Sequence, residues 1–338
     1  MLLDKPVMKM QNYFSDQDKN YLNSILDKID FVDLNNKSIF ITGGTGFLGS
    51  WIVKLLCYLT CFYNYNIELF VLTRDIRKAK ASLSEFRLQN INFIEANIIG
   101  NYQIPQIDYV IHAANDTTPE FVSKFKEVTE VITLGTLNLL EKINNTNKLV
   151  YLSSGDVYGT SKPMKNGYKE TQQISFDQYS SATNYGLNKL MAEKIIMESG
   201  VDYSIFRCFA FFGRGIHLNG HFAASEVLSC LINRENIHMK SPCNSIRNYM
   251  YPLDLAIIVL RALVDKRNYL VNIGAENISI KDLIEKVCNL TNIDATFGNE
   301  EETLRKVYVP NLEFFRELSL HEPLNIDKTI EHTVKSLM

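Results

Sequence analysis

The sequence has no surplus of positive charge. Its 35 lysines and arginines face 38 aspartates and glutamates, a net charge of −3. A basic field able to hold nucleic acid or an anionic membrane is therefore missing, and any anionic ligand has to be bound locally. No apolar run is long enough to span a bilayer. The most apolar stretch, Trp51 to Tyr63, is 13 residues and contains Lys54, against the roughly 20 that a spanning helix needs. The start of the chain carries Asp4 and Lys5, with no apolar core between a basic start and a small-residue cleavage site, which argues against a secretory signal. None of the six cysteines (57, 61, 208, 230, 243 and 288) pairs as CxxC, and no histidine cluster accompanies them. Cys57 and Cys61 lie four apart in an apolar segment, which favours two buried thiols on one helix face over a metal site. The expectation is a reduced, soluble, cytoplasmic protein without a metal.

What is present is ordinary globular composition, 46% apolar and 22% charged over 338 residues. At roughly 150 residues per domain this length predicts about two domains. Residues 1–36 read as an N-terminal helical extension. Ser15-Asp-Gln-Asp18 marks a helix start, followed by Tyr21, Leu22, Ile25 and Leu26 at helical spacing. From Lys37 onward short β-rich apolar runs alternate with helical stretches. Strands are expected at 38–42, 68–72, 92–95, 109–112, 148–153 and 202–207. Such alternation predicts an α/β fold, a Rossmann-type doubly wound parallel sheet over residues 37–212. Beyond Gly213 the pattern becomes more heterogeneous, with helices expected near 222–233, 253–265 and 279–291. Residues 213–338 are read mainly as a smaller, partly interleaved substrate-binding domain, with Leu270–Ile273 a candidate to return to the sheet.

The first strand runs directly into Gly43-Gly44-Thr45-Gly46-Phe47-Leu48-Gly49, which satisfies Gly-x-Gly-x-x-Gly and opens a helix. A turn this tight exposes bare backbone to a pyrophosphate, and the helix N-terminus meets the charge with free N–H groups. This predicts a dinucleotide site. At the end of the second strand, Thr73-Arg74-Asp75 stands where an acid would accept from an NAD ribose. Arg74 instead offers a guanidinium to a 2′-phosphate, so NADP(H) is favoured, while Asp75 keeps NAD open.

Tyr185-Gly-Leu-Asn-Lys189 puts a phenol and an ammonium on one helix face. A neighbouring ammonium would lower the phenol's pKa and make it a usable proton donor and acceptor. Upstream, Ser153-Ser154-Gly-Asp-Val-Tyr-Gly159 ends a strand at the sheet edge where ligands bind; a serine there can bond a reacting oxygen or simply cap the next turn.

Taken together, the sequence resembles the extended short-chain dehydrogenase/reductase family, and within it the NAD(P)-dependent nucleotide-sugar epimerases, dehydratases and reductases. The resemblance runs from about Lys37 to Lys281. It rests on the glycine turn, His112-Ala-Ala114, Ser153 to Gly159, Tyr185-x-x-x-Lys189, Arg247-Asn-Tyr-Met-Tyr-Pro-Leu-Asp254 and the later Val271-Asn-Ile-Gly274. The resemblance implies that Ser154 positions the reacting oxygen, Tyr185 is the acid/base, and Lys189 holds the nicotinamide ribose and tunes Tyr185. It places Asn97, Ile98, Ala113 and Ala114 around the cofactor, and Asn115, Ser154 and Arg247 on the nucleotide-sugar substrate. It also implies a homodimer paired through helices near 120–143 and 182–199.

The sequence departs from the family pattern where 4,6-dehydratases carry Asp-Glu, having Gly155 and Asp156 there. The acid is gone, and Asp156, as base, is one methylene shorter, which disfavours elimination. Ala210 replaces the usual asparagine within Arg207 to Arg214. The leading expectation is thus an NADPH-dependent reductase of a nucleotide-linked 4-keto-6-deoxy sugar. A C4-epimerase comes next, then a 4,6-dehydratase and a non-catalytic NADP-binding regulator.

Overall fold

The structure is a computed structural model that describes residues 14–83, 91–143, 146–218, 222–239, 243–298 and 306–337. The first helix, α1 (Asp16–Leu26), starts where the sequence predicts. Ser15 accepts from the Asp18 backbone and Asp18 answers on the Ser15 backbone, a complete capping box. The helix is docked rather than trailing. Buried Asp18 accepts from Tyr251 Oη at 2.9 Å and lies 2.9 Å from His332 Nδ1, while Tyr21 donates to Asp254 at 2.6 Å.

The main sheet is built from β1 (Lys37–Thr42), β2 (Ile67–Thr73), β3 (Ile91–Glu95), β4 (Tyr109–His112), β5 (Lys148–Ser154) and β6 (Tyr203–Cys208). Among the described residues they lie in the order 3-2-1-4-5-6, all parallel. This is the Rossmann order, with its switch point between β1 and β4. The central strands β4 and β5 are buried along their whole length, as strands covered on both faces are, whereas the edge strand β3 exposes Asn92 and Glu95. Within β1, Ile39 and Ile41 join the core on one face and Phe40 joins the core on the other, and none of the three touches solvent. Each such side chain contributes about 1.5–3 kcal/mol by leaving water.

The helices that flank the sheet are α2 (Phe47–Phe62), α3 (Ile76–Ser82), α4 (Pro119–Val122), α5 (Phe125–Val128), α6 (Gly135–Leu140) and α7 (Asn184–Glu198). Helix α2 opens at Phe47, springing straight from Gly46 at the end of the glycine turn. The stretch expected to be helical across 120–143 is interrupted. A π-helical segment, Thr129–Leu134, separates α5 from α6 and turns Thr133 toward α7, where its hydroxyl donates to Asn188 at 2.6 Å.

In the C-terminal part a second sheet gathers β7 (Ala210–Phe211), β9 (Ile246–Met250), β11 (Glu276–Ser279) and β13 (Val307–Tyr308), while β8 (Ile237–Met239) pairs with β12 (Ala295–Phe297). The expected return strand, β10 (Tyr269–Ile273), joins the main sheet beside β6. Helices α8 (Ala223–Asn233), α9 (Pro252–Val264), α10 (Ile280–Leu290), α11 (Glu313–Leu318) and α12 (Ile326–Leu337) complete this part. The register of β13 against β9 sets Tyr308 opposite Arg247, at the carboxyl end of the main sheet's β5.

Candidate active site

The glycine turn stands at the switch point, and its geometry explains its composition. Gly43 has a φ of 70°, and a Cβ there would lie 2.4 Å from the Ala113 carbonyl oxygen and 2.6 Å from the Ala114 nitrogen. A Cβ on Gly49 would come within 2.1 Å of the Gly43 oxygen. The first turn of α2 has no side-chain cap on its N–H groups. Together these leave bare backbone and unpaired donors facing one spot, which suits a pyrophosphate. The residues present therefore fit a dinucleotide, and the backbone of Ala113 and Ala114 lies against the turn. Below them His112 bonds Thr42 Oγ1 at 2.7 Å and Thr136 at 3.0 Å, and Thr42 Oγ1 accepts from the Ala114 nitrogen. Burial pushes the His112 imidazole down to about 3, so it serves as a neutral strut.

At the end of β2 the two candidate cofactor readers part company. Arg74 is exposed. Asp75 is committed to capping α3, accepting from the Lys78 nitrogen at 3.1 Å, with Lys78 Nζ 4.0 Å away. Asn97 is exposed, its side chain closing a turn onto the Ile99 nitrogen, and Ile98 is buried against Gly135.

Ser154, Tyr185 and Asn115 converge although they come from three separate segments. The Asn115 amide donates to the Tyr185 hydroxyl at 2.5 Å, and Ser154 stands on the same side of that phenol, where it favours the ionised form. Ser154 also caps the following turn by accepting from the Asp156 nitrogen at 3.1 Å. The capping role read for that serine is thus seen directly. Ser153 points the other way, into the interior, and donates to Glu193 at 2.5 Å. Gly186 follows Tyr185 because a Cβ there would lie 1.9 Å from the Asp156 carbonyl oxygen, so α7 can press its first turn onto the turn after β5.

The state of Tyr185 corrects the expectation drawn from the spacing. The phenol is held well above its ordinary range, first by burial and then by the Asp156 carboxylate, which outweigh the opposing effects of Asn115 and Ser154. Lys189 does not reverse this. Its ammonium donates to the Leu152 carbonyl at 2.7 Å, sits 4.7 Å from the Tyr151 ring centroid and 5.8 Å from that of Tyr185. Burial brings Lys189 itself down to about 8. Tyr185 is therefore a neutral donor rather than a ready phenolate.

One participant carries no motif. Tyr308 enters from β13 and brings its phenol beside Ser154 and Asp156, and burial with the Asp156 carboxylate raises its pKa. Its ring packs 4.7 Å from that of Phe209, and the Arg247 guanidinium lies 5.9 Å from its centroid. Arg247 Nη1 donates to the Ile246 and Lys306 carbonyls, which fixes the guanidinium beside the phenol. A Cβ on Gly155 would stand 2.5 Å from the Tyr308 hydroxyl and 2.9 Å from the Phe209 ring. The position where the family's dehydratases carry an acid is thus filled from a different strand. Only the glycine at 155 hinted at this, and nothing in the sequence said what would fill its space. Asp156 is exposed at the outer end of the cluster.

Comparison with known proteins agrees with this geometry. A model of the NAD dependent epimerase/dehydratase family matches residues 39–274, more than half of the chain. The dTDP-D-glucose 4,6-dehydratase of Dictyostelium discoideum is 28% identical over 285 residues, which cover 77% of this chain. The match spans 63% of that protein, less than two thirds of its length. Among solved structures, the UDP-N-acetylglucosamine 4-epimerase of Methanobrevibacter ruminantium M1, in complex with UDP-N-acetylmuramic acid, superposes with a TM-score of 0.70 at 20% identity. That superposition covers 89% of this chain and 98% of the other. A dTDP-glucose 4,6-dehydratase of Bacillus anthracis str. Ames in complex with NAD gives a TM-score of 0.67 at 16% identity, over 88% and 95% of the two chains. At these identities the two structures speak for the fold alone.

Proposed function

Because the chain belongs to the NAD dependent epimerase/dehydratase family, we propose that it is an NADPH-dependent reductase of a nucleotide-linked 4-keto-6-deoxy sugar. The observation that carries this reading is the convergence of Ser154 and Asn115 on the hydroxyl of a neutral Tyr185. Reduction of a ketone requires a proton for the oxygen, and a phenol kept neutral by burial is in the right state to give one. A bound nicotinamide dinucleotide supplies the hydride. Ser154 holds the carbonyl oxygen beside Tyr185, and Asn115 fixes the phenol's orientation. Lys189 stays on the cofactor side of Tyr185, and Arg247 offers its planar fork to the substrate phosphates. A dehydratase is disfavoured by Gly155, since the space for an acid there is taken by Tyr308 and Phe209.

The preference for NADP(H) follows from Arg74 being exposed at the end of β2 while the Asp75 carboxylate is spent on the α3 cap. The exposed Phe125, Leu134 and Leu137, together with Leu187 and Met191 on α7, support a homodimer paired through these segments. We keep the division near residue 212 between a cofactor domain and a mainly substrate-binding domain.

Mixing the protein with NADPH and dTDP- and UDP-linked 4-keto-6-deoxyglucose tests the reading, with loss of NADPH absorbance as the readout. No oxidation with either sugar would reject it. The second reading, a nucleotide-sugar C4-epimerase, uses the same three side chains and fits the NAD dependent epimerase/dehydratase family as well. It predicts NAD retained through purification and released on denaturation, with no net use of NADPH.

A further inference from the structure

Two buried carboxylates, Asp18 and Asp254, tie α1 to the joint where β9 turns into α9. Asp18 Oδ2 accepts from the Ser15 nitrogen and hydroxyl, which closes the cap of α1. Its Oδ1 reaches out of the helix, accepting from Tyr251 Oη at 2.9 Å with His332 Nδ1 also 2.9 Å away. Further along α1, Tyr21 donates to Asp254 at 2.6 Å, and His321 Nε2 stands 2.8 Å from the same carboxylate. Tyr251 is the N-cap of α9 and Asp254 lies in its first turn, so both tethers grip one joint. Arg247 lies on β9, four residues before Tyr251. Between them Tyr249 and Met250 pair with β7, and the Phe212 carbonyl beyond β7 accepts from Thr333 of α12, next to His332. On its other side α1 rests on α2, the helix that opens the glycine turn. Phe14, just ahead of α1, lies 5.8 Å from the Trp51 ring and 5.4 Å from that of Tyr58, and Tyr63 donates to Asn23. The family match begins at residue 39, so α1 lies outside the matched span while it grips Tyr251 and Asp254 inside it.

We propose that α1 is a brace that holds Arg247 in place for the diphosphate of a nucleotide sugar, with Asp18 and Tyr21 as its positioning residues. The proposal rests on the reading of Arg247 as the contact to the substrate phosphates, and it holds whether the sugar is reduced or epimerised. A buried carboxylate resists displacement, because each donor pulled away from it is left desolvated and unpaired. Two such carboxylates make the joint rigid, and β9 carries that rigidity to Arg247. A guanidinium fixed beforehand loses less freedom when the diphosphate arrives, and affinity rises accordingly. The tethers are unequal in what they touch. Asp18 and Tyr21 bond residues of the β9–α9 joint and the C-terminal segment, whereas α2 is held through the rings around Phe14 and the Tyr63 contact. Cutting the tethers therefore loosens the substrate side and leaves the cofactor helix as it was.

Titration of the full chain with UDP and dTDP, and separately with NADPH and NADH, tests the brace. Asp18→Ala should weaken whichever nucleoside diphosphate the wild type binds by about 2- to 30-fold, the range for residues that act on a site without touching its ligand. Tyr251→Phe removes a single oxygen from the same tether and should do likewise, which keeps the test open if Asp18→Ala harms the fold. Adding Tyr21→Phe to either should deepen the loss. Dinucleotide affinity should stay at the wild-type value throughout. Ser15→Ala weakens the cap but spares both tethers, so it should change neither ligand. In an Arg247→Ala background Asp18→Ala should add nothing, because its effect runs through that guanidinium. Wild-type diphosphate affinity in Asp18→Ala and Tyr251→Phe, while Arg247→Ala weakens it, would overturn the brace alone. Equal losses of diphosphate and dinucleotide, or additive losses in the double variant, would make α1 mere scaffold and overturn it too. An Arg247→Ala protein that binds the diphosphate normally, or a wild type that binds neither, removes the phosphate reading and the brace with it.

Discussion

Glu193 accepts from both Nε and Nη2 of Arg207, the shorter contact being 2.7 Å, and neither side chain meets solvent to any extent. The pair stands one turn beyond Lys189 and binds α7 to β6, while Ser153 ties the same carboxylate to β5. Removing one partner of a buried pair strands the other charge, at a cost of about 3–5 kcal/mol. Arg207→Met should therefore lower the unfolding free energy, measured by denaturant titration, by that much. A loss below about 1 kcal/mol, the range of a surface pair, would mean that water reaches Glu193 once the arginine is gone.

Arg74→Ala should weaken NADPH far more than NADH, since only NADPH carries a 2′-phosphate for a guanidinium to pair with. Gly49→Ala is the contrasting variant. Its Cβ would press on the Gly43 oxygen, so it should weaken both cofactors alike. Fluorescence titration of the two variants with each cofactor gives the comparison. An Arg74→Ala protein that loses both equally would make this arginine part of the scaffold.

Tyr185→Phe removes one oxygen and keeps the ring packed. Activity should fall about 10²- to 10⁴-fold, appearing in kcat with little change in KM. Retention of more than about a tenth of wild-type kcat, with hydride transfer limiting, would take the proton donor's role away from this phenol.

Lys189 gives a dependence on pH whose sign is fixed. Its folded value, about 8, lies below the ordinary 10.5, so between these limits the unfolded chain binds more protons. Stability from this group is then lowest below pH 8 and rises through the window, by about 1.4 kcal/mol for each pH step of one. Lys189→Met cannot titrate, so the stability of wild type relative to this variant should increase from pH 8 to pH 10. A difference that stays flat would mean that the ammonium is better solvated than its burial implies.

The parts of this molecule that could be read from the sequence are those whose cause is local. Ser15 and Asp18 are three residues apart, and their capping box forms as written. The glycine turn needs only its own torsions and the strand beside it, and the return of β10 to the sheet was visible in a short apolar run. Tyr308 was invisible because its partners lie about 150 residues away and its own segment has no pattern. The tuning of Tyr185 was misread for a related reason. Spacing on a helix brings Lys189 near, but the Leu152 carbonyl and the depth of burial decide what its charge can do. The π-helical turn at 129–134 likewise reflects a contact with Asn188 on another helix.

The docking of α1 sets a timetable for the newly made chain. Asp18 finds its two partners at Tyr251 and His332, and Tyr21 finds its own at Asp254 and His321. Helix α1 therefore leaves the ribosome long before the segments that seat it, because the partners of its carboxylate and its phenol lie at least 233 residues further along. Until then α1 keeps its near contact with the end of α2, where Tyr63 donates to Asn23 at 2.7 Å, but it is exposed to chaperones and proteases alike. Nascent chains stalled before residue 320 should be clipped within α1 by a protease that leaves the finished protein intact there. Equal resistance in both would show that the helix is held by something nearer to it in the chain.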